Sequence, residues 1–127
     1  MGVGGLQIPW GKIVHEMSIV QNIIEIVDQE MERHGLEKLK AIHIAVGRMS
    51  AIVPGQMTLC FEILTDNTRL AGTALNIKMV PLTYQCQKCH REFTSEGITF
   101  NCPFCNEENP ELIFGRELKV EFLEVMD

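Results

Sequence analysis

Four cysteines in two close pairs constrain this chain more than any other feature of its sequence. Cys86 and Cys89 form the first pair, and Cys102 and Cys105 form the second, with the spacing C-x2-C-x12-C-x2-C. Two intervening residues let one turn place both sulfurs on the same side of a metal ion, and a second pair returning from a short hairpin completes a tetrahedron. The spacing therefore predicts a closed metal site with a structural role.

Zinc is the metal we expect in this site, although spacing alone does not exclude iron in the same thiolate cage. Two disulfides are the alternative and would require an oxidising compartment. The first residues lack a basic start followed by a long apolar stretch, so we expect a cytoplasmic chain, in which paired cysteines are metal ligands. No apolar run approaches the roughly 20 residues needed to cross a bilayer, so no membrane insertion is expected.

Outside the cysteines, the periodicity of the sequence predicts an α+β fold. Apolar residues from Met17 to Met31 recur at helical spacing, and Gly35 is typical of a helix end. A second helix is predicted from Pro54, with Met57, Cys60, Phe61 and Leu64 on its core face. Alternating apolar residues predict strands at 40–48, 75–79 and 118–122. We therefore expect two helices packed on a small three-stranded sheet, with the four-cysteine module inserted.

These elements imply a division of the chain into four segments. Residues 1–13 are Gly-rich and lack any period, so they are predicted to be a loose N-terminal extension. Residues 14–81 are predicted to form the first part of an α+β domain, and 82–112 the inserted zinc-ribbon-like module. Residues 113–127 are predicted to supply the final strand of that domain.

The charge balance argues against nucleic-acid binding. The chain has 11 basic and 17 acidic residues, a formal net charge of −6. Within Tyr84–Glu111 there are two basic residues and five acidic ones, and an acidic module repels phosphates. The sequence also gives no sign of an enzyme. No glycine motif that would bind phosphate and no nucleophile–base pair can be named, and Cys60 is expected to be a small buried apolar residue. The chain is therefore not expected to be an enzyme.

The four histidines have modest predicted roles. His15 and Glu16 precede the first helix, where they suit a solvated helix start or, more weakly, a nickel-binding pair. His34 is expected to be a cation at the helix end, and His43 a residue on one strand face. His90 follows Cys89 directly and could replace a thiolate or meet a second metal.

Taken together, these segments resemble one known family. Val14-His15-Glu16-Met17-Ser18 opens an amphipathic helix, and GRMSAIVPGQMTLCFEIL and CQKC…CPFC follow. This combination is similar to the HypA/HybF nickel metallochaperones. The resemblance implies delivery of Ni(II), as transient cargo, to the large subunit of [NiFe]-hydrogenase, with a HypB-type GTPase as partner. It implies nickel ligation at His15 and Glu16 and structural Zn(II) at the four cysteines, and a homodimer is compatible with it.

One departure from the family concerns the start of the chain. In the family the chain begins Met-His-Glu, and the terminal amine takes part in nickel binding, whereas here thirteen residues precede Val14. A terminal amine loses its proton far more easily than an internal amide. We hypothesise that Val14 is the true start, read from a GTG codon as methionine.

A zinc-ribbon adaptor or regulatory module without nickel transfer is the alternative function.

Overall fold

The computed structural model describes residues 2–7, 16–50, 52–95 and 101–126, with the backbone alone for 2–7. Two helices and seven strands are described in these ranges, together with one 3-10 turn at Arg48–Ser50. In chain order they are β1 (Gly2–Gln7), α1 (Glu16–His34), β2 (Leu39–Gly47), α2 (Pro54–Thr65), β3 (Ala74–Val80), β4 (Leu82–Gln85), β5 (Glu92–Ser95), β6 (Glu111–Phe114) and β7 (Leu118–Val125). The predicted α+β class is confirmed. None of the described helices is long and apolar enough to cross a membrane.

The first helix ends as its sequence predicts. Gly35 adopts a φ of 65°, a conformation that a side chain would disfavour. The N–H of Leu36 donates to the carbonyl of Met31 at 2.8 Å, and the N–H of Gly35 donates to that of Glu32 at 3.3 Å. This pair of bonds is the Schellman arrangement, and it satisfies carbonyl groups that the helix end would otherwise leave without partners.

The second helix begins at Pro54 and buries a narrower face than predicted. Met57, Phe61 and Thr65 are buried at a spacing of four residues. Cys60 and Leu64 are only partly buried, so their placement in the core was wrong. The helix turns 100° per residue, which puts both Cys60 and Leu64 on the same side of the buried stripe, next to Met57 rather than within the stripe.

The sheet of this domain has four strands in the order β1-β7-β2-β3, whereas three strands were predicted. Its additional strand, β1, pairs antiparallel with β7 and lies in the segment 1–13 that was predicted to be loose. That prediction is wrong for Gly2–Gln7. An antiparallel pair is held by backbone hydrogen bonds, which need no alternation of side chains, so a glycine-rich strand carries no periodic signal.

The chain divides into two compact units, and the first contains both helices. It comprises the described residues up to Ala45, Ile52–Lys78 and those from Leu118 onward. Its buried apolar side chains come from both helices and from β2 and β7, and they include Val20, Ile23, Val27, Met31, Ile42, Ile44, Met57, Phe61, Val120 and Leu123. This core packs both helices against the sheet of the first unit.

The second compact unit carries the four cysteines. It comprises the described residues of Val46–Ala51 and Met79–Glu117. Its sheet has the order β5-β4-β6, and β4 is antiparallel to both neighbours. The cross-strand pair Tyr84–Phe93 stacks with ring centroids 5.6 Å apart. The proposed segment boundaries at 14–81, 82–112 and 113–127 stay a prediction.

Candidate metal centre

The first cysteine pair sits in a tight turn built by backbone hydrogen bonds. The N–H of Cys86 donates to the carbonyl of Arg91 at 3.0 Å, and the N–H of His90 donates back to the carbonyl of Cys86 at 3.0 Å. The N–H groups of Lys88 and Cys89 both lie 3.4 Å from Cys86 Sγ, the distance of an N–H···S bond. His90 has a φ of 62°, which reverses the chain after the second cysteine.

The second pair repeats the same construction. The N–H of Cys102 donates to the carbonyl of Glu107 at 2.9 Å, and the N–H of Asn106 donates to the carbonyl of Cys102 at 2.9 Å. The N–H of Phe104 lies 3.4 Å from Cys102 Sγ, and Asn106 has a φ of 62°. Each turn thus places a residue with positive φ four positions after its first cysteine, and each points N–H donors at a sulfur.

The two turns bring all four sulfurs together. The Sγ atoms of Cys86, Cys89, Cys102 and Cys105 lie within 4.8 Å of one another. Cys86 Sγ is 3.4 Å from Cys105 Sγ, and Cys89 Sγ is 3.8 Å from Cys102 Sγ. Sulfurs bound to a tetrahedral zinc at about 2.3 Å lie about 3.8 Å apart. The four side chains therefore fit a zinc ion, and they fill all four positions of its tetrahedron.

The acidities of two of these thiols differ. The backbone N–H of Cys89 is the largest cause that lowers the pKa of Cys86 to about 6, against desolvation by burial. The backbone N–H of Glu107 lowers the pKa of Cys105, but the side chain of Cys86, desolvation, and the side chains of Cys89 and Cys102 together raise that pKa to about 11. The lowered pKa of Cys86 favours its thiolate form, whereas Cys105 must release its proton as a metal binds.

Side chains beside the sulfurs join the two turns. Lys88 Nζ lies 3.8 Å from a carboxylate oxygen of Glu107, which pairs one turn with the other. The guanidinium of Arg91 lies 4.9 Å from the ring centroid of Phe104, a cation–π contact. Phe104 also meets Phe93 edge to face, with centroids 6.4 Å apart. These contacts add weak cross-links to a module with few aliphatic residues.

The proposed nickel ligands fall at the start of α1. His15 lies outside the described residues. Glu16 is the first residue of α1, and its Oε1 accepts a 3.4 Å hydrogen bond from the backbone N–H of Val53. Val53 is the N-cap of α2 and makes no capping bond with its own side chain. The carboxylate of Glu16 therefore ties the start of one helix to the start of the other.

Two of the remaining histidines lie beside carboxylates of the first unit. His34 is ion-paired with Glu30 at 3.4 Å when protonated, and His43 Nε2 lies 2.7 Å from Glu124 Oε1. Among the described residues, the group of side chains able to hold a metal consists of the four cysteines, without His90. Sequence reasoning did not identify the turn positions of His90 and Asn106, although Asn and His are enriched at positive φ.

Comparison with known families identifies the chain. The family model described as hydrogenase/urease nickel incorporation, metallochaperone, HypA matches residues 14–125. The chain belongs to the HypA family. HypA proteins are maturation factors rather than enzymes, which confirms the prediction that this chain is not an enzyme.

Similar HypA proteins match nearly the whole chain. The hydrogenase maturation factor HypA of Solidesulfovibrio magneticus is 39% identical over 116 residues, covering 88% of this chain and 99% of that protein. The protein of the same name from Desulfatibacillum aliphaticivorans is 36% identical over 115 residues, covering 90% of this chain and 88% of that protein. Hydrogenase maturation is therefore the pathway of the family.

Two solved HypA structures share the fold. The solution structure of the Ni metallochaperone HypA from Helicobacter pylori has a TM-score of 0.60 and 21% identity, covering 88% of this chain and 97% of that one. A second HypA solution structure has a TM-score of 0.66 and 21% identity, covering 90% and 98%. Both likenesses support the α+β architecture.

Proposed function

We propose that this chain binds Ni(II) at the start of α1 and delivers it to the large subunit of [NiFe]-hydrogenase, while its four cysteines hold structural Zn(II). The observation that carries the proposal is the closed set of four sulfurs within 4.8 Å of one another. A tetrahedron filled by protein ligands has no open position for exchange. Cargo nickel therefore requires a separate, accessible site in a family of nickel-incorporation proteins.

Zinc suits Cys86, Cys89, Cys102 and Cys105 by both chemistry and distance. Thiolates are soft ligands, and the observed 3.4 Å and 3.8 Å sulfur separations are those of a small tetrahedral ion. Bound zinc would cross-link two turns that contain few buried apolar residues. The metal then contributes to folding of this unit, as in other small zinc modules.

Nickel suits the side chains of His15 and Glu16. A neutral imidazole is a good ligand for borderline ions such as Ni(II), and a carboxylate adds negative charge. The Oε1 atom of Glu16 accepts the Val53 N–H, which holds the carboxylate in place and leaves its other oxygen for a metal. The exposed position of Val53 keeps this neighbourhood accessible to a partner protein.

We propose a HypB-type GTPase and the hydrogenase large subunit as partners. Both assignments follow from membership of a family of hydrogenase maturation factors. A reducing cytoplasm is the compartment we propose, because the cysteines must stay reduced to bind metal. All five described cysteines are free of disulfide bonds.

Native mass spectrometry of the zinc-loaded chain with added nickel tests the proposal. We expect one zinc to be retained and one nickel to be gained. His15→Ala should abolish nickel uptake and leave zinc in place. His34→Ala, which changes a histidine at the opposite end of α1, is the matched control and should bind nickel normally.

Two other results would contradict this assignment. Undiminished uptake by His15→Ala would place nickel elsewhere, with His90 as the next ligand to test. No nickel uptake with zinc retained would favour the zinc-ribbon adaptor.

A chain that begins with methionine in place of Val14 should bind nickel more tightly than the full chain if the terminal amine is a ligand. Intact-mass measurement on protein from the native source tests which start is used.

A further inference from the structure

Helix α2 is apolar on its outer side as well as on its buried side. Away from the buried Met57, Phe61 and Thr65, five residues at helical spacing lie along one side of α2 and its N-cap: the exposed Val53, Gln56, Leu59 and Ile63 and the partly buried Cys60. We call these five residues the outer stripe. Leu59 and Ile63 are one turn apart and expose 56% and 58% of their surface, and Val53 exposes 49%. Apolar residues in a continuous exposed strip are typical of a surface that another molecule covers.

The charges carried by α2 itself have one sign. From Met49 to Thr68 the sequence contains no Lys or Arg. Glu62 and Asp66 are the acidic residues of this stretch, and both are exposed. An apolar strip with an acidic rim is complementary to an apolar strip with a basic rim. A second copy of the same stripe would bring no basic group to these carboxylates, because a two-fold interface pairs like surfaces.

The outer stripe also reaches the start of α1. Its first residue, Val53, donates its backbone N–H to Glu16 Oε1 at 3.4 Å. A molecule lying along Ile63, Leu59 and Val53 would therefore end beside Glu16. This is the place at which the proposed nickel site would meet a receiving protein.

We propose that the outer stripe docks an amphipathic helix of the partner that exchanges nickel with this chain, a helix whose apolar face is flanked by Lys or Arg. Docking of an apolar helix face against another apolar surface is a common recognition mode, anchored at spacings of three and four residues. The role in nickel exchange rests on the proposed function, whereas the docking itself rests on the exposed apolar residues and the acidic rim.

A designed peptide tests the docking on the full zinc-loaded chain. The probe is a helical peptide of about 18 residues, long enough to be helical when bound, with Leu on one face and Lys on its flanks. We expect amide NMR shifts to change along α2 and beside Glu16 at physiological salt. Leu59→Ser with Ile63→Ser should weaken the dissociation constant about tenfold or more, since two central anchors are lost.

Matched controls separate this docking from general attraction to an acidic protein. Met126→Ser removes a side chain that is equally exposed, at 58%, outside the stripe, and should leave the affinity unchanged. A peptide of the same composition with its Leu residues scattered around the helix should bind at least tenfold more weakly. The peptide with Glu in place of Lys should also bind more weakly.

Several outcomes would overturn the proposal. Three results would each exclude the stripe as a docking site for a basic helix. They are equal binding of the Glu peptide, NMR shifts confined to elements other than α2, and an unchanged affinity of the double variant for the Lys peptide. A dimer that dissociates when Leu59 and Ile63 become Ser would assign the stripe to a second copy instead. Nickel uptake by the double variant should match that of the parent. If the parent chain binds no nickel, the proposed function is overturned. The conclusion from peptide binding would still hold.

Discussion

The backbone of Gly115 occupies the space that a side chain at Gly47 would require. A Cβ atom built on Gly47 would overlap the carbonyl group of Gly115 and press on the amide of Arg116. The same segments are held together by a 2.6 Å bond from the N–H of Gly47 to the carbonyl of Glu117 and a 2.9 Å bond from the N–H of Met49 to that of Gly115. The obstructing atoms belong to the backbone, so they cannot move aside as a flexible side chain would.

Gly47→Ala should therefore destabilise the protein strongly. We expect a loss of about 3 kcal/mol in the free energy of unfolding, the upper part of the usual range of about 1–3 kcal/mol for overpacking that shifts the backbone. Urea denaturation of the zinc-loaded chain measures it. Gly55→Ala is the control: Gly55 lies in α2 with open space around its Cα, so the change should be neutral or stabilise by up to about 1 kcal/mol. Equal effects of the two substitutions would contradict the overlap.

Removal of one zinc ligand should disrupt the four-cysteine unit and spare the helices. Cys102→Ser should lose zinc, because three thiolates and a hydroxyl no longer match the soft, closed set. The Tyr84–Phe93 stack should then loosen, since structural zinc contributes on the order of 10 kcal/mol or more to folding of such modules. Metal content and near-ultraviolet circular dichroism are the measurements. Cys60→Ser, outside the cluster, should keep zinc, and retention of zinc by Cys102→Ser would contradict the assignment.

Much of this architecture was predictable because its signals are local. The helical spacing of α1 and its stop at Gly35 predicted Glu16–His34 to within one residue at the start. The cysteine spacing predicted a cluster that the structure brings within 4.8 Å. In both cases the signal comes from residues close together in the sequence. It is the helical period of apolar residues in α1, and the spacing of metal-ligating side chains in the cysteine pairs.

Other parts depend on contacts between distant segments. Strand β1 forms through backbone pairing with β7. The residues of Gly2–Gln7 show no alternation of apolar and polar side chains from which a strand could be predicted. Cys60 was expected in the core, but its burial depends on which side of α2 packs inward. The bond from Val53 to Glu16 joins two segments far apart in sequence, and no local pattern predicts it.

The hydrogen bond between His43 and Glu124 predicts a pH-dependent contribution to stability. The hydrogen bond from His43, at 2.7 Å, and then the nearby Lys40 ammonium lower the pKa of Glu124 below its ordinary value of 4.5. A carboxyl group whose pKa is lowered by folding stabilises the fold when ionised. That stabilisation is fully present above about pH 4.5 and is lost as the pH falls through the lowered value.

Glu124→Gln should accordingly destabilise the protein near neutral pH and have progressively less effect on acidification. Thermal unfolding of the two chains, compared at each pH, gives the difference directly and cancels acid effects on the zinc site that both share. In a His43→Gln background the effect of Glu124→Gln should shrink, because its main partner is gone. A difference between the chains that stays constant from neutral to acid pH would contradict this role of the pair.

Nickel binding should itself weaken in acid, because the proposed His15 imidazole must be neutral to bind a metal. We expect the nickel affinity of the zinc-loaded chain to fall by tenfold or more between pH 8 and pH 5, given that an imidazole usually titrates near pH 6.5, roughly 1.5 units above the lower limit. Isothermal titration calorimetry at each pH measures the affinity. His34→Ala should follow the same profile, since its histidine lies beside Glu30 at the far end of α1. An affinity that stays flat across this range would exclude His15 as the ligand.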